Sequence, residues 1–600
     1  MNNKEEMYRK RKEQFEKIYA KNKKDNINVG YLKLAVLLVG LVTSIYTYYV
    51  GSYTIFGFVA IVALGLFIYL LLLHNKIIDE QKFSQKLIEI NNMGIDRITD
   101  NWQIFNEDGK EFIDENHSYS FDLDIFGKNS LFQWINNTGT FMGKQRLKER
   151  LTKPLKDKES IIKNQQSVKE LASEIEWRQN LYAEALLIEE KAKDPDSLIQ
   201  WAEGSNGVYK KHSLKIFINI LPLATLISLF AFLVLGFSYR ITLGFVCIQI
   251  LALVPGSAKR NEILNNIYKH KKGITAYEKM LKKIEEKNFS SEYLNSCKES
   301  LKSREGEAAS LIIKKLSKIS DLVSDRGNII FIIFNILFLL DYRYVMKLEG
   351  WRERYGSNVR LWFDIIGEIE VLCSLASVYY ENTGWTFPCL EKYDTTVKTK
   401  GLGHPLLGER RVSNDVEITG DGKVLLITGS NMSGKSTFLR TIGINLVLAY
   451  AGGPVSANEF KCRIMDIHTC MRVSDNLEKS ISSFYGEILR IKDIVSEVKA
   501  GKNVFFLLDE IFKGTNSIDR HIGAAVLIKQ LSSAGVSGLV STHDLELAEL
   551  EKENEKIENY HFQEYYENNK LCFDYKLRKG VSTTRNAMYI IKMAGIEVQD

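Results

Sequence analysis

The 600-residue sequence contains only 7 prolines, and its 7 cysteines are far apart in the chain. So few prolines exclude a proline-rich disordered protein and favour long helices. No two cysteines form a CxxC pair, and no group of histidines and cysteines has the spacing of zinc ligands, which excludes a zinc-ribbon or disulfide-stapled domain. We therefore expect reduced thiols, as in a cytosolic protein, and no structural metal site.

The sequence also has little excess charge of either sign. The 80 basic residues exceed the 74 acidic residues by a net charge of only +6, which permits an anionic partner without indicating one. The length is too great for one hydrophobic core, and we expect several domains.

Charged residues are missing altogether from four long apolar stretches. Each stretch falls near the roughly 17–25 residues that a membrane-spanning helix needs. They form two pairs, joined by Gly51-Ser52 and by Ser238-Tyr239-Arg240. The four stretches are Leu34–Val50, Tyr53–Leu73, Ile216–Phe237 and Ile241–Ala258. The sequence therefore predicts two helical hairpins that cross a bilayer, with four spans and membrane lipid as a partner.

A fifth apolar run, Ile329–Leu340, is shorter. As a helix it would be about 18 Å long, which cannot cross a hydrocarbon core of about 30 Å, so a buried helix is predicted there. Lysines and arginines lie before the first span and on both flanks of the second hairpin. This distribution predicts a multi-pass protein of the cell membrane whose N-terminus, middle segment and C-terminal part are cytoplasmic.

A glycine-rich loop follows a short apolar strand pattern at 424–428. The nine residues from Gly429 to Thr437 fit G-x-x-x-x-G-K-[ST], and an apolar helical pattern continues to Tyr450. A strand, this loop and a helix together form a phosphate-binding site, because glycines let the backbone approach the phosphates and the lysine neutralises their charge. The predicted nucleotide-binding residues are Gly429, Ser430, Asn431, Met432, Ser433, Gly434, Lys435, Ser436 and Thr437.

Two further strand patterns supply the remaining parts of an ATPase. The run 504–508 ends in Asp509-Glu510, and the run 537–542 ends in His543. In this arrangement Ser436 and Asp509 hold Mg²⁺, and Glu510 polarises the water that attacks the γ-phosphate. His543 stands at the position of a switch histidine. ATP and Mg²⁺ are the expected cofactors, with no other metal, and Lys435, Glu510 and His543 are the expected catalytic residues.

Together these motifs resemble the MutS family. Gly429–Thr437 is similar to its G-P-N-M-x-G-K-S-T loop, with Ser430 in place of proline. The segment Asp475–Phe484 looks like its D-D-L…S-T-F signature, and Asp509–Thr515 looks like D-E-I/L-G-R-G-T, with Phe512 and Lys513 replacing glycine and arginine. Ser541-Thr542-His543 matches its [AS]-T-H. Upstream, 122–155 resembles the start of the family's helical core domain.

The resemblance implies a homodimer with composite sites. Asn476, Ser482 and Ser483 would reach the γ-phosphate bound by a second copy, and Thr515, Asn516 and Asp519 would lie in the dimer seam. DNA binding and a role in mismatch repair are expected only from the resemblance to the family. No mismatch-recognition domain is predicted before the core, and Phe105-Asn106-Glu107 matches its F-x-E pattern by chance.

The second apolar hairpin lies where the family inserts a DNA clamp between lever helices, so we expect the hairpin to replace the clamp. Two functions stay open. One is a DNA-associated MutS-type ATPase on the membrane, and the other is an ATP-driven membrane switch, remodelling protein or scaffold that does not bind DNA. The basic stretch Lys144–Lys153 would contact phosphates under the first, although a solvated helix face explains it more simply.

The fold class predicted is multidomain, with membrane α-helical hairpins, an α-helical core and lever domain, and a C-terminal α/β P-loop, ABC-like ATPase domain. The predicted divisions are a charged cytoplasmic tail (1–28), hairpin 1 (29–74), a linker (75–119), the first core part (120–212), hairpin 2 (213–258), the second lever and core part (259–395) and the ATPase domain (396–600).

Overall fold

The structure is a computed structural model that describes residues 3–188, 194–204, 212–391, 395–430, 432–472, 483–567 and 570–581. The chain divides into two compact units. Unit 1 consists of 1–98, 137–146 and 174–371, and unit 2 consists of 99–136, 147–173 and 372–600. Unit 1 is helical, and unit 2 contains the sheets.

The described helices are numbered in chain order. They are α1 (Asn3–Tyr49), α2 (Tyr53–Ile98), α3 (Leu131–Ile135), α4 (Phe141–Thr152), α5 (Lys158–Ser173), α6 (Ile175–Ala185), α7 (Asp196–Glu203), α8 (His212–Leu235), α9 (Tyr239–Leu253), α10 (Ser257–Lys269), α11 (Lys271–Glu286), α12 (Glu292–Glu299), α13 (Ala309–Ser324), α14 (Ile329–Phe338), α15 (Leu340–Tyr355), α16 (Val359–Glu381), α17 (Lys435–Tyr450), α18 (Ser483–Lys499), α19 (Ser517–Ser533) and α20 (Leu550–Glu553).

The first hairpin is longer than its apolar part. α1 and α2 each extend for more than forty residues, because the charged residues before the apolar run and those after it continue the same two helices. Their polar halves pack together: Asn26 Nδ2 donates to Gln81 Oε1 at 2.9 Å, and Tyr8 is buried against Gly94. The predicted divisions after residues 28 and 74 therefore fall inside continuous helices.

The second hairpin consists of α8 and α9. Ser238 accepts a hydrogen bond from the backbone N–H of Arg240 at the start of α9, so the connection between the helices is very short. α9 ends at Leu253 and the chain bends by 72° into α10, so the predicted single helix Ile241–Ala258 is broken near Pro255. By length and composition, three described helices are able to cross a membrane, or up to five if each of two bent pairs is one span.

The fifth apolar run forms α14, which is not buried as predicted. Most of its apolar side chains are exposed, for example Ile329 at 73% and Ile330 at 57%, and Phe331 is buried. A run of twelve residues with a single polar member, Asn335, gives the same pattern whether a helix lies in a protein core or presents its sides to another apolar medium. Composition alone therefore could not distinguish these cases.

Unit 2 contains two sheets, whose strands are also numbered in chain order. They are β1 (Cys389–Leu390), β2 (Thr395–Leu402), β3 (Asn414–Thr419), β4 (Val424–Thr428), β5 (Glu459–Cys462), β6 (Asp466–Cys470), β7 (Val504–Asp509), β8 (Ser537–Thr542), β9 (Ile557–Glu567) and β10 (Lys570–Lys579). The larger sheet has the order β10-β9-β4-β8-β7-β6 and is parallel except for β10. The smaller has the order β1-β5-β2-β3.

The segment before α4 belongs with the α/β sheets. Residues 99–136, which include the predicted start of the helical core at 120, group with unit 2 by their contacts. Asp122 fixes this segment. Its fully buried carboxylate accepts hydrogen bonds from Thr469 Oγ1 at 2.8 Å and from the backbone N–H of Met471 at 3.1 Å, both at the end of β6.

Candidate nucleotide site

The three sequence motifs meet at one edge of the larger sheet. β8 lies between β4 and β7, and all three are parallel, so their carboxyl ends are neighbours. Thr428 pairs with Thr542, and Asp509 pairs with Ser541. All of these strands are fully buried, which explains their unbroken apolar sequences. The glycine-rich loop, Asp509-Glu510 and His543 therefore lie at adjacent strand ends.

The loop backbone requires its glycines. Gly429 has φ +150° and Gly434 has φ +105°, in the half of conformational space that side chains disfavour. A Cβ atom on Gly429 would lie 2.8 Å from Ser433 Oγ, and one on Gly434 would lie 3.0 Å from the ring of Tyr575. The loop thus forms a cradle, and a side chain at either glycine position would occupy the space inside it.

The side chain of Lys435 lies within this cradle. Its Nζ donates to the carbonyl oxygens of Gly429 at 2.8 Å and Ser430 at 2.9 Å, and only 4% of the side chain is exposed. Burial lowers the pKa of Lys435, an effect that the carboxylates of Glu510 and Asp509 oppose. Among the described residues, the buried hydroxyl of Ser433 has no hydrogen-bond partner. A buried ammonium and an unpaired buried hydroxyl beside the loop amides fit a phosphate group.

A cavity of about 520 Å³ opens beside the loop. Pockets of roughly 300–1,000 Å³ enclose ligands of nucleotide size. Part of the lining is apolar or aromatic, and the polar part includes the loop residues Gly434 to Thr437 together with Glu510. The apolar and aromatic part comprises Leu402, Leu407, Val412, Phe438, Phe562 and Tyr575. This combination suits a flat base at one end and charged phosphates at the other.

Two lysines and one histidine surround the carboxylate of Glu510. Lys435 Nζ lies 3.6 Å and His543 Nδ1 3.8 Å from its Oε1, and Lys513 Nζ lies 3.2 Å from its Oε2. Burial raises the pKa of this carboxyl, but the attraction of Lys513, Lys435 and His543 outweighs burial and lowers the pKa. Glu510 is therefore ionised at neutral pH and available as a base or water-orienting group.

Asp509 and Ser436, the predicted magnesium ligands, lie at the end of β7 and at the start of α17. Asp509 ends β7 and accepts a hydrogen bond from the hydroxyl of Ser541 on the next strand, which orients its carboxylate. Ser436 follows Lys435 in the first turn of α17 and lines the cavity. An oxygen donor set of one carboxylate and one hydroxyl fits Mg²⁺, which keeps several waters when bound to proteins.

The predicted loop residue Asn431 and the predicted trans-acting residues are not all described. Asn431, Asn476 and Ser482 lie outside the described residues, and Ser483 is described only as the first residue of α18. The chain on both sides of 473–482 is anchored to the same segment. Arg472 contacts Asp124 at 2.5 Å, and Arg490 on α18 contacts Asp122 at 2.8 Å.

The predicted seam residues lie at the start of α19. Asn516 caps this helix by accepting from the backbone N–H of Asp519 at 2.9 Å, and its Nδ2 donates to the Asp519 carboxylate. Ile518, Ile522 and Val526 follow at helical spacing and are 70%, 55% and 58% exposed. Thr515 precedes the cap. This end of α19 therefore presents an apolar stripe at its surface.

Four site residues were not assigned roles from the sequence. Lys513 contacts Glu510, and Glu564 on β9 accepts a hydrogen bond from Ser430. Tyr575 on β10 packs against Gly434. Glu487 on α18 accepts from the amides of Phe512 and Lys513, and burial raises its pKa. The contact of Lys513 with Glu510 could have been inferred from the sequence, since the two residues are three positions apart. The others come from distant segments that long-range pairing brings to the loop.

A second polar group lies nearby. His521, Asp544 and Glu546 offer ligand atoms within 4.8 Å of one another, the one such group among the described residues. His521 Nδ1 is 3.0 Å from Asp544 Oδ2, and Glu546 is largely exposed. Exposed groups of this kind are common without an ion, and the expectation of no metal other than Mg²⁺ stays a prediction.

The fold and site define a class: a helical unit joined to an α/β unit whose parallel sheet carries a nucleotide-type loop. Comparison with known families agrees. The model of MutS domain V matches residues 425–599, and the model of MutS domain III matches residues 111–376. The chain belongs to the MutS family.

Individual relatives show the same similarity. The DNA mismatch repair protein MutS of Shouchella clausii is 33% identical over 267 residues, which cover 43% of this chain and 30% of that protein. The proteins of the same name from Persephonella marina and Aquifex pyrophilus are each 30% identical over 266 and 249 residues, covering 43% and 41% of this chain and 30% and 28% of theirs. The chain thus matches less than a third of the length of these relatives.

Proposed function

We propose that this chain is a membrane-anchored MutS-type ATPase that binds and hydrolyses ATP as a homodimer. The observation that carries the proposal is the convergence of Lys435, Lys513 and His543 on the carboxylate of Glu510, at the rim of the cavity that the glycine-rich loop lines. An ionised carboxylate beside a phosphate cradle is the arrangement that nucleotide hydrolysis needs.

Each residue has a distinct task in this proposal. The loop amides and Lys435 hold the β- and γ-phosphates, and Lys435 exchanges its contacts with Gly429 and Ser430 for phosphate oxygens. Ser436 and Asp509 would hold Mg²⁺, which neutralises phosphate charge when bound. Glu510 orients the water that attacks the γ-phosphorus as the bond to the bridging oxygen breaks. His543, 3.8 Å from Glu510, is positioned to sense the γ-phosphate.

The dimer completes the site. The exposed stripe of Ile518, Ile522 and Val526 would pack against a second copy, because a monomer would leave these side chains in water. Asn476, Ser482 and Ser483 would then reach the partner's γ-phosphate.

The membrane anchor consists of the two apolar hairpins, with four crossings and the N-terminus, core and nucleotide site in the cytoplasm. Along α1, α2, α8 and α9 the apolar side chains are widely exposed, for example Tyr49 at 84%, Ile61 at 72% and Leu233 at 69%. Exposed apolar surface of this extent is stable in lipid and not in water. The basic residues that flank both hairpins support the orientation.

The relatives are named DNA mismatch repair proteins, which supports an association of this chain with DNA. A specific observation favours the second candidate, an ATP-driven membrane switch or scaffold that does not bind DNA. The hairpin α8–α9 lies within the region that matches MutS domain III. In addition, the basic stretch on α4 is partly engaged, since Arg150 is buried and Arg146 pairs with Glu368 at 3.1 Å.

The ATPase proposal is tested with Glu510→Gln in nanodiscs. ATP should bind as in the parent, whereas kcat should fall by roughly 10²–10⁴-fold, because a glutamine cannot accept the proton of water. The matched control is Glu459→Gln on β5, which changes an exposed glutamate that pairs with Lys400. Binding of a fluorescent ATP analogue and phosphate release are the two measurements. Hydrolysis by Glu510→Gln at the parental rate would contradict the assignment.

The two candidate roles are separated by steady-state ATPase with mismatched, fully paired and branched DNA at one salt concentration. Stimulation by one DNA form, absent in Glu510→Gln, supports the DNA-associated role and identifies the substrate class. Equal rates with every DNA, and no DNA binding at low salt, support the membrane switch.

A further inference from the structure

The helix α14 exposes an apolar surface that the four predicted spans leave unexplained. Of its ten residues, only Asn335 is polar, and Ile329, Ile330, Ile332, Ile333 and Phe334 are between 47% and 73% exposed. A helix that is apolar on every side is stable in an apolar surrounding and not in water. Within unit 1, α14 packs against α8 and α9, and Gln249 Nε2 on α9 donates to Leu337 O at 2.9 Å. Its exposed surface is thus continuous with that of the second hairpin.

Both ends of α14 lie on the same side. Arg326, just before the helix, forms a two-pronged ion pair with Asp341, just after it, with Nε–Oδ1 at 3.0 Å and Nη2–Oδ2 at 2.9 Å. The same guanidinium donates to Asn261 on α10, the helix that follows the second hairpin. Ten helical residues rise about 15 Å, half of a hydrocarbon core of about 30 Å. α14 is too short to span the layer alone, and the Arg326–Asp341 pair holds its two flanks together, which favours a re-entrant loop over a broken span formed with α15.

Side chains satisfy the backbone carbonyls that these broken helices would leave free. Pro222 has no N–H, so the carbonyl of Ile218 loses its helical partner, and Arg343 Nη2 donates to it at 3.2 Å. Arg343 Nε also donates to Phe338 O, at the end of α14, at 2.9 Å. In water such carbonyls would be hydrated, whereas in lipid each unpaired group costs several kcal/mol.

Side chains also satisfy the backbone carbonyls at the end of α9. Arg260, 2% exposed, donates to the carbonyls of Leu253 and Pro255, and its guanidinium lies 4.0 Å from the ring centroid of Tyr342. Tyr342 Oη donates to Ala252 O at 3.0 Å or to Pro255 O at 3.1 Å. The arginines and the tyrosine that close these helix ends come from α10 and α15, which flank the apolar elements in the chain.

We infer that α14 is a re-entrant half-helix that lies among the lipid acyl chains of the cytoplasmic leaflet, against the second hairpin. The inference rests on the proposed membrane location of that hairpin and adds a fifth lipid-contacting element to it. The occupant of the exposed surface is lipid: the surface continues that of α8 and α9, and the paired ends place α14 at the level where these helices enter and leave. Only Leu339 separates α14 from α15, so α15 begins directly at this lipid contact.

Spin labelling of the full chain in nanodiscs tests this inference. Replacing Cys247, Cys389 and Cys572 by alanine removes the cysteines that are not buried. Single cysteines then carry a nitroxide at Ile333 on α14, at Ile227 on the second hairpin and at Leu311 on α13, which are 54%, 60% and 53% exposed. Collision with oxygen, which dissolves in lipid, and with a water-soluble nickel chelate is measured for each label. The label at Ile333 should collide with oxygen and resist nickel as that at Ile227 does, whereas Leu311 should show the opposite preference.

The other outcomes are distinct. A label at Ile333 that behaves like Leu311, with Ile227 in lipid, overturns the re-entrant helix and leaves the proposed anchor intact. If Ile227 is also open to nickel, the proposed membrane location itself fails. Low collision with both reagents at Ile333 means that protein covers α14, either a second copy or another chain, and overturns the lipid assignment.

Discussion

The ammonium group of Lys513 lies 3.2 Å from the carboxylate of Glu510, three residues earlier in the chain. The MutS-type pattern has arginine at this position, and this chain keeps the positive charge there. Glu510 has φ +49° and Phe512 has φ +62°, both in the left-handed region. Backbone strain of this kind is typical of functional sites. Here the two turns direct the side chains of residues 510 and 513 toward each other.

Removing this charge should move the acid limb of the pH profile. In Lys513→Met the pKa of Glu510 should rise, because burial then opposes ionisation with less compensation from cations. A base with a raised pKa is protonated at higher pH, so kcat should fall more at pH 6 than at pH 8. Lys513→Arg should keep the parental profile. Parallel kcat profiles for the methionine variant and the parent would show that Lys513 does not act on Glu510.

The α19 stripe gives a prediction about assembly. Ile522→Glu would place a charge within the proposed dimer contact, where burying an unpaired carboxylate costs several kcal/mol. ATP-dependent dimerisation should therefore weaken by roughly 100-fold or more, and specific activity should become dependent on protein concentration. Ile162→Glu on α5, at a residue 37% exposed in the same unit, is the control. Distances between labelled protomers with and without ATP measure the effect, and an unchanged dimer would exclude this face.

Much of the nucleotide site could be predicted because each motif consists of consecutive residues. A buried strand and the loop that follows it can be recognised within one stretch of sequence. Pairing of three parallel strands then brings the ends of these strands together. Glu564 could not be found in this way, since it reaches Ser430 only because β9 pairs with β4. The same limit applies to 120–136, which resembles the start of the core domain but is held by contacts with β6.

The long apolar helices were harder to delimit from sequence. Hydropathy finds apolar residues, and it located both hairpins. It does not show where a charged helix continues an apolar one, so α1 and α2 proved longer than predicted. Nor does it distinguish a core helix from one that faces lipid, which is why the burial of α14 was predicted wrongly.

Two aspartates in one short segment should differ sharply in their contribution to stability. Asp122 is fully buried and pairs with Arg490, whereas Asp124 is 36% exposed and pairs with Arg472. Asp122→Asn removes the buried counter-charge of Arg490, which is itself 23% exposed, and should destabilise unit 2 by about 3 kcal/mol. Asp124→Asn should cost less than about 1 kcal/mol, as exposed pairs do. Thermal unfolding in detergent compares the two, and equal losses would contradict the burial argument.

Unit 1 should lose stability as the pH rises toward neutrality, through Glu370. This carboxyl is fully buried on α16 and accepts hydrogen bonds from the backbone N–H groups of Gly139 at 2.8 Å and Thr140 at 3.2 Å, as well as from the Thr140 hydroxyl. Burial outweighs these donors and raises the pKa of Glu370 to about 7 from 4.5. The fold therefore favours the protonated form.

The sign of the effect follows from this shift. The stabilisation from Glu370 is complete below the unfolded pKa near 4.5 and is lost as pH rises through about 7, by roughly 3 kcal/mol in total. Glu370→Gln has no proton to lose, so the difference in unfolding free energy between variant and parent should change between pH 5 and pH 8, in favour of the variant at pH 8. Glu353→Gln on α15 serves as the control for a glutamate in the same unit. If parent and Glu370→Gln show the same pH dependence of unfolding, Glu370 is not the group that titrates.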